Sequence, residues 1–143
     1  MRAFLPILAP ALVLAAAATI APPLRAAEAG ADPEIENMIS AQIDAFGHDD
    51  AAKAESFASP GIKTMFPEPG AFLGMVKTSY PALVHPRSTH FEPTSTSDAG
   101  TEQKVTVVDG NGAVWTAVYR LEKVDGHWVI SGCILLKTLE TSA

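Results

Sequence analysis

The chain predicts an α+β fold: N-terminal helices packed on a curved, mostly antiparallel four-stranded sheet, in a cone-like arrangement. Three observations carry this. Up to about residue 83 apolar residues recur at helical spacing, in segments that open on a cap residue followed by proline. From Ser88 onward the period drops to two. Near the C-terminus, Asp125-Gly126 joins two long strands that share one almost wholly apolar face. Helices first and a strand meander afterwards define this layer class, in which the helices must cover the inner face of the sheet.

The elements follow in chain order. Residues 1–29 read as a secretory signal peptide. Arg2 supplies the positive start, Phe4 to Ala21 is an uncharged, Ala- and Leu-rich run, and Ala27-Glu28-Ala29 is a small-x-small cleavage site. Pro6 and Pro10 interrupt the run, which argues against a permanent anchor. Nothing later is long or apolar enough to span a bilayer. The mature protein is therefore expected in the periplasm or outside the cell, with 30–143 as a single α+β domain.

Asp32-Pro33-Glu34 is a helix start: a side-chain acceptor, proline at the first position and acid in the first turn. Ile35, Met38, Ile39, Ile43 and Phe46 fall on one face of that helix, and Gly47 is its expected C-terminal cap. Asp49 or Asp50 caps a second short helix, Ala51 to Ala58. Ser59-Pro60 repeats the signal for a further turn bearing Ile62, Met65 and Phe66. After Pro67 and Pro69 a helix runs to about Tyr80, and Pro81 and Pro86 bracket a connector.

Ser88 to Thr96 reads as a strand that Pro93 confines to an edge. Gln103 to Asp109, Ala113 to Val124 and His127 to Thr138 are the other three. A Gly110–Gly112 loop places Val105 and Val107 on the core face, the register that burial favours. A two-residue turn at Asp125-Gly126 sets Leu121 opposite Ile130, Tyr119 opposite Gly132, Ala117 opposite Ile134 and Trp115 opposite Leu136. The outer face would then carry Thr116, Val118, Val129, Cys133 and Leu135. A half-apolar outer face suggests a covered surface, and a homodimer packed sheet to sheet is the expectation.

Composition narrows the function. Ten Lys and Arg against sixteen Asp and Glu give a formal charge of −6, with no basic run. This makes nucleic acid and anionic membrane poor candidates as partners. Cys133 stands alone and forms no intramolecular disulfide. The four His and one Cys show no metal-ligand spacing, so no metal and no cofactor is expected.

Ile39 to Phe46, Ala54 to Pro60 (AESFASP), Phe72 to Tyr80 (FLGMVKTSY) and Asp125 to Cys133 (DGHWVISGC) resemble, in order, an uncharacterised bacterial family, domain of unknown function 4864. The resemblance covers nearly the whole mature chain. It implies a cystatin-like cone of the kind seen in nuclear transport factor 2 and ketosteroid isomerase, with helices in the concave side of a curved sheet. It implies no activity, since that fold hosts enzymes, binders and interaction modules alike.

Gln42 is the sharpest functional signal, a polar amide near the middle of the first helix's apolar face. Such a group needs partners, from the sheet, from Tyr119 or from a ligand. Tyr119, on the core face, offers a hydroxyl at a pocket floor. With Trp115 and Trp128 these two form the expected ligand-binding set. Proton-transfer enzymes of this fold need a carboxylate or imidazole facing the cavity. The residues that come nearest are His85, in the proline-bracketed connector, and Asp109, at a turn. With no inward-facing acid–base pair, the reading is a non-catalytic binder of a small apolar ligand or a protein partner. Its alternatives are a proton-transfer or small hydrolytic enzyme of ketosteroid-isomerase type, and an interaction module whose cone is filled by Phe46, Phe57, Phe72 and Trp128.

Overall fold

The computed structural model describes residues 30–139; the leader read from residues 1–29 lies outside them. Among the described residues four helices precede the sheet: α1 (Pro33–Gly47), α2 (Ala51–Ser56), α3 (Pro60–Met65) and α4 (Pro69–Ser79), followed by a 3-10 turn, Pro81–Leu83. Among the described residues no helix is long and apolar enough to cross a membrane.

The helix starts are fixed by local chemistry. The Asp32 carboxylate accepts from the backbone N–H of Glu34 and Ile35, the Asp50 carboxylate from Lys53, and the Ser59 hydroxyl from Ile62. Each satisfies a donor that the first helical turn leaves orphaned. Gly47 plays a different part from the expected cap. The left-handed position after α1 falls to Asp49, at φ 56°. At Gly47 the absence of a side chain admits the His85 ring, whose atoms would stand 3.1 Å from a Cβ there. Asp49 also pairs with Lys77 of α4, and that hydrogen bond and charge hold its carboxyl below the usual range.

The sheet has five strands rather than four. The expected Ser88–Thr96 strand is split into β1 (Ser88–Phe91) and β2 (Ser95–Ser97), and both pair antiparallel with β3 (Gly100–Val108). Pro93 lacks the N–H that a continuous ladder would need, and the break falls there. β4 (Val114–Val124) and β5 (His127–Lys137) complete the order β1-β3-β4-β5, with β2 extending the β1 side. The turn residues Asp125 and Gly126 both take positive φ, 52° and 79°, as a tight two-residue hairpin requires.

Val105 and Val107 face the core and are fully buried. Leu121 pairs with Ile130 as the turn dictates, but the ladder slips by one residue immediately afterwards. Ser131 is the extra residue of a bulge, so Arg120 meets Gly132, Tyr119 meets Cys133, Ala117 meets Leu135 and Trp115 meets Lys137. The expected pairings of Tyr119, Ala117 and Trp115 are each corrected by one position. The slip also exchanges faces, because side chains alternate strictly along a strand. Cys133 and Leu135 turn toward the core, while Ile134 and Leu136 are pushed out and are 52% and 54% exposed.

The core lies between the apolar faces of α1 and α4 and the inner face of β3, β4 and β5. Ile35, Ile39, Val105, Val107 and Ala117 are wholly inaccessible at its centre. The β5 edge is tied to the helical layer: Ile130 N–H donates to the Phe57 carbonyl and Ser59 N–H to the Ile130 carbonyl, both at 2.8 Å.

The Gly110–Gly112 turn is organised by Asp109. One carboxylate oxygen accepts from the N–H of Asn111 and of Ala113, the other from the Trp115 indole, all at 2.9 Å. The indole bond above all, helped by the backbone donors, holds the Asp109 carboxyl below its usual range despite partial desolvation. A carboxyl lowered by folding adds stability above its ordinary pKa of about 3.9 and loses it as pH falls through the lower folded value. Asp109→Asn is therefore expected to flatten the acid side of the stability–pH curve. Urea titrations between about pH 2 and pH 6 check this, and an unchanged slope would show that the carboxylate contributes nothing.

Candidate functional site

A cavity of about 320 Å³ lies between the helices and the inner face of the sheet. Each wall follows from an element already described. From α1, Gln42 and Phe46 point in because they share the apolar face that buries the helix. From α4, Phe72, Met75 and Val76 form the opposite helical wall, with Tyr80 just beyond the helix end. The sheet supplies Tyr119, Ile130 and Cys133, together with the bulge residues Ser131 and Gly132. Ile62, Met65 and Phe66 come from α3 and its C-cap. α3 contains no buried residue, and Met65 is 71% exposed, so this side is the mouth.

The lining carries no charged side chain and few polar groups. Gln42 is 3% exposed, and its Nε2 donates to the Ala54 carbonyl at 3.1 Å. Ala54 lies in the last turn of α2, so Gln42 satisfies a carbonyl that the helix end leaves free. The partner is thus helical backbone, neither the sheet nor Tyr119. Tyr80 donates its hydroxyl to the Cys133 carbonyl at 3.0 Å, which pins the end of α4 to the edge of β5. Tyr119 differs from both. It is 1% exposed, and its hydroxyl is the one buried side-chain polar atom among the described residues without a hydrogen-bond partner.

Burial, with a smaller push from Cys133, raises the Tyr119 phenol well above its usual range, so it keeps its proton and remains a donor. Burial also pushes the Cys133 thiol up to about 12. At pH 8 about one such thiol in ten thousand is ionised. The folded protein is expected to resist a thiol-specific disulfide reagent at pH 8 and to react once guanidinium unfolds it. Prompt labelling of the folded form would show that the cavity opens to bulky reagents.

The remaining sequence-derived candidates lie away from this cavity. Trp115 is half-buried at the far end of β4, its indole held by Asp109 and its ring covered by the Lys137 ammonium at 5.7 Å. Trp128 is half-buried near the Asp125-Gly126 turn, beneath Lys123 at 4.8 Å. Both occupy inward-facing registers but sit at strand ends, outside the residues that line the cavity, with a lysine ammonium over each ring. Asp109 is engaged in its turn. His85 takes a left-handed backbone, φ 58°, and lines a separate hollow of about 350 Å³ with Asp44, His48 and Arg87. No acid or imidazole stands at the wall of the apolar cavity.

The sequence pattern reached Gln42 and Tyr119 but missed α3 and α4 as cavity walls. Met65, Phe66, Phe72 and Met75 looked like ordinary core residues. The signal that marks them is the crowding of prolines at 60, 67 and 69, which keeps α3 short and separate from α4.

Fold and site together define a class: an α+β domain whose helical layer and open sheet enclose an apolar cavity, with an unpaired tyrosine hydroxyl sealed in the sheet wall. The chain belongs to the family described as Domain of unknown function (DUF4864), whose sequence model matches residues 28–143. No curated protein and no solved structure matches it.

Proposed function

We propose that this is an exported domain that binds a small apolar ligand in the cavity beneath the sheet without transforming it. The observation that carries this reading is the uncharged, largely apolar cavity itself, walled by Phe46, Phe72, Met75 and Ile130 and open on the α3 side, where Met65 is 71% exposed. A volume of about 320 Å³ falls at the small end of ligand sites, which run from about 300 to 1,000 Å³. A general base at the wall would be needed for proton transfer, and His85 and Asp109 are placed elsewhere. Export rests on the leader pattern of residues 1–29.

Native mass spectrometry of the protein expressed with its own N-terminus and purified from a periplasmic fraction tests the proposal. The expected spectrum shows a mass beginning near Glu28 or Gly30 and an additional non-covalent component. Gln42→Leu is expected to fold, with a loss of about 1 kcal/mol from the Ala54 hydrogen bond, and to keep that component. An unprocessed chain would overturn export, and a processed chain that takes up no apolar compound would overturn binding.

The outer sheet face supports a second reading, pairing between two copies of the chain. Ile134 and Leu136, turned outward by the bulge, lie beside Val118 and Thr116. Light scattering at micromolar concentration decides it: a monomer there removes this reading.

A further inference from the structure

We infer that the cavity takes a single-chain amphiphile tail-first: a hydrocarbon chain of up to about ten carbons lies among the buried walls, and its polar end stays in water at the α3 mouth, beside Ser131. The inference rests on the cavity being a binding site, and names the class of ligand and the end that enters.

Direction follows from the uneven burial of the lining. Phe46, Phe72, Val76 and Ile130 are each 5% exposed or less and form an inner, apolar end. On the α3 side Ile62 and Phe66 are half-buried, and Met65 and Ser131 are exposed. The space therefore has one closed end and one open end. A molecule with a polar group at one end meets these surroundings in a single favourable order, apolar end inside.

The polar groups are distributed the same way. The Tyr119 hydroxyl is sealed in the sheet wall, and the Tyr80 hydroxyl is committed to the Cys133 carbonyl. The Cys133 thiol is a weak donor. Gln42 commits one N–H to Ala54, and the rest of its amide is neutral, too little to replace the hydration of an ion. The Ser131 hydroxyl is the exposed polar side chain of the lining. Ser131 is the extra residue of the β5 bulge, a device that re-aims a side chain out of strict strand alternation. No Lys, Arg, His, Asp or Glu lines the cavity. A charged group is thus shut out of the inner end but keeps its hydration at the mouth.

Chain length follows from volume. A space of about 320 Å³ holds about ten heavy atoms, at the ~30 Å³ that a water molecule occupies in the liquid. The unbranched, flexible side chains of Met65 and Met75 suit a flexible guest. Carbons beyond that length stay in water. This favours a free amphiphile of medium chain length over a bilayer phospholipid, whose chains are longer.

The test titrates straight-chain probes into the purified protein with labelled methionine and valine methyls. Met65 reports on the mouth and Val76 on the inner end, and Met38, in the core beneath α1, serves as the control. From hexanol to decanol the affinity is expected to rise about fourfold per methylene, and dodecanol is expected to bind no more tightly than decanol. Octanoate is expected to bind within about tenfold of octanol, whereas suberate, with a carboxylate at each end, moves neither methyl. Nuclear Overhauser contacts are expected between the chain-terminal methyl of octanol and Val76, and between its hydroxymethyl protons and Met65. Reversed contacts, exclusion of octanoate, binding of suberate, or an affinity still rising at dodecanol would each overturn the inference. Vesicles of palmitoyl-oleoyl phosphatidylcholine are expected to leave both methyls unmoved; a shift there would overturn the free amphiphile in favour of a bilayer lipid. If no alkanol moves Met65 or Val76 but tetralin does, the amphiphile fails and the apolar site stands. If tetralin fails too, the binding reading falls with it.

Discussion

Gln103→Leu is expected to cost the fold about 3 kcal/mol or more, although the new side chain is of similar size and better suited to burial. Gln103 is wholly inaccessible. Its amide nitrogen donates to the carbonyls of Glu92 and Lys104, and its amide oxygen accepts from the Thr94 hydroxyl at 2.7 Å. Thr94 in turn accepts from the backbone N–H of Asp32 at 2.7 Å, and its own N–H donates to the Gly30 carbonyl. One glutamine therefore joins β3, the Pro93 interruption and the start of α1. Leucine leaves the Glu92 carbonyl and the Thr94 hydroxyl proton without partners, each worth roughly 1–3 kcal/mol when unmade, while the Lys104 carbonyl keeps the Glu92 N–H at 3.0 Å. Urea unfolding measures the loss, and hydrogen exchange at Asp32 locates it. A loss under 1 kcal/mol would mean that the network rearranges around the gap.

Phe72→Ala is expected to cost about 3–5 kcal/mol, the usual range for removing a buried phenyl ring. Phe72 is 5% exposed and stands between two other rings, Phe46 at 6.2 Å and 52°, and Phe66 at 6.0 Å and 61°. Tilted and edge-on rings at these separations attract beyond their buried area. Because Phe72 is also a wall of the cavity, its removal enlarges that space. Benzene is therefore expected to raise the melting temperature of the variant more than that of the native protein, since an apolar void of this kind takes up apolar guests. Calorimetry with and without benzene checks both halves. A cost under 1 kcal/mol would mean that α3 collapses into the space.

Where a local rule acts alone, the structure was legible. Asp32-Pro33 and Ser59-Pro60 start helices because a side-chain acceptor followed by fixed φ is favourable whatever surrounds it. Asp125-Gly126 sets the last hairpin for the same reason, and its register holds as far as Leu121 and Ile130. The rest depends on neighbours. The bulge at Ser131 cannot be read from period-two alternation, since both registers present apolar faces: Ile134 and Leu136 in one, Cys133 and Leu135 in the other. Its signal was Gly132 within a strand, which as readily suggests space for the Tyr119 ring. Pro93 announced an edge, yet a proline at an edge can sit inside one strand or divide two.

The candidate site divides in the same way. Gln42 and Tyr119 stand out because polarity on an apolar face is visible in the pattern. Gln103 was equally visible, two residues before inward-facing Val105, but strand starts are often polar and fray. Trp115 and Trp128 had the right face and the wrong end of the strand, a distinction that needs the position of the helices above them.

The tethers along β5 have a consequence for solubility. A strand at the rim of an open sheet displays unpaired amide groups that can recruit another chain into a growing aggregate. Phe57 and Ser59 occupy those groups at Ile130, and the Tyr80 hydroxyl occupies the carbonyl of Cys133. By alternation the next outward-facing amide groups belong to Leu135, and the strand ends shortly afterwards at Lys137, a charge placed where a templated strand would have to continue. The contacts that enclose the cavity thus also blunt this rim, and loosening the α2–α3 connector or Tyr80 would expose an unpaired edge along with the cavity.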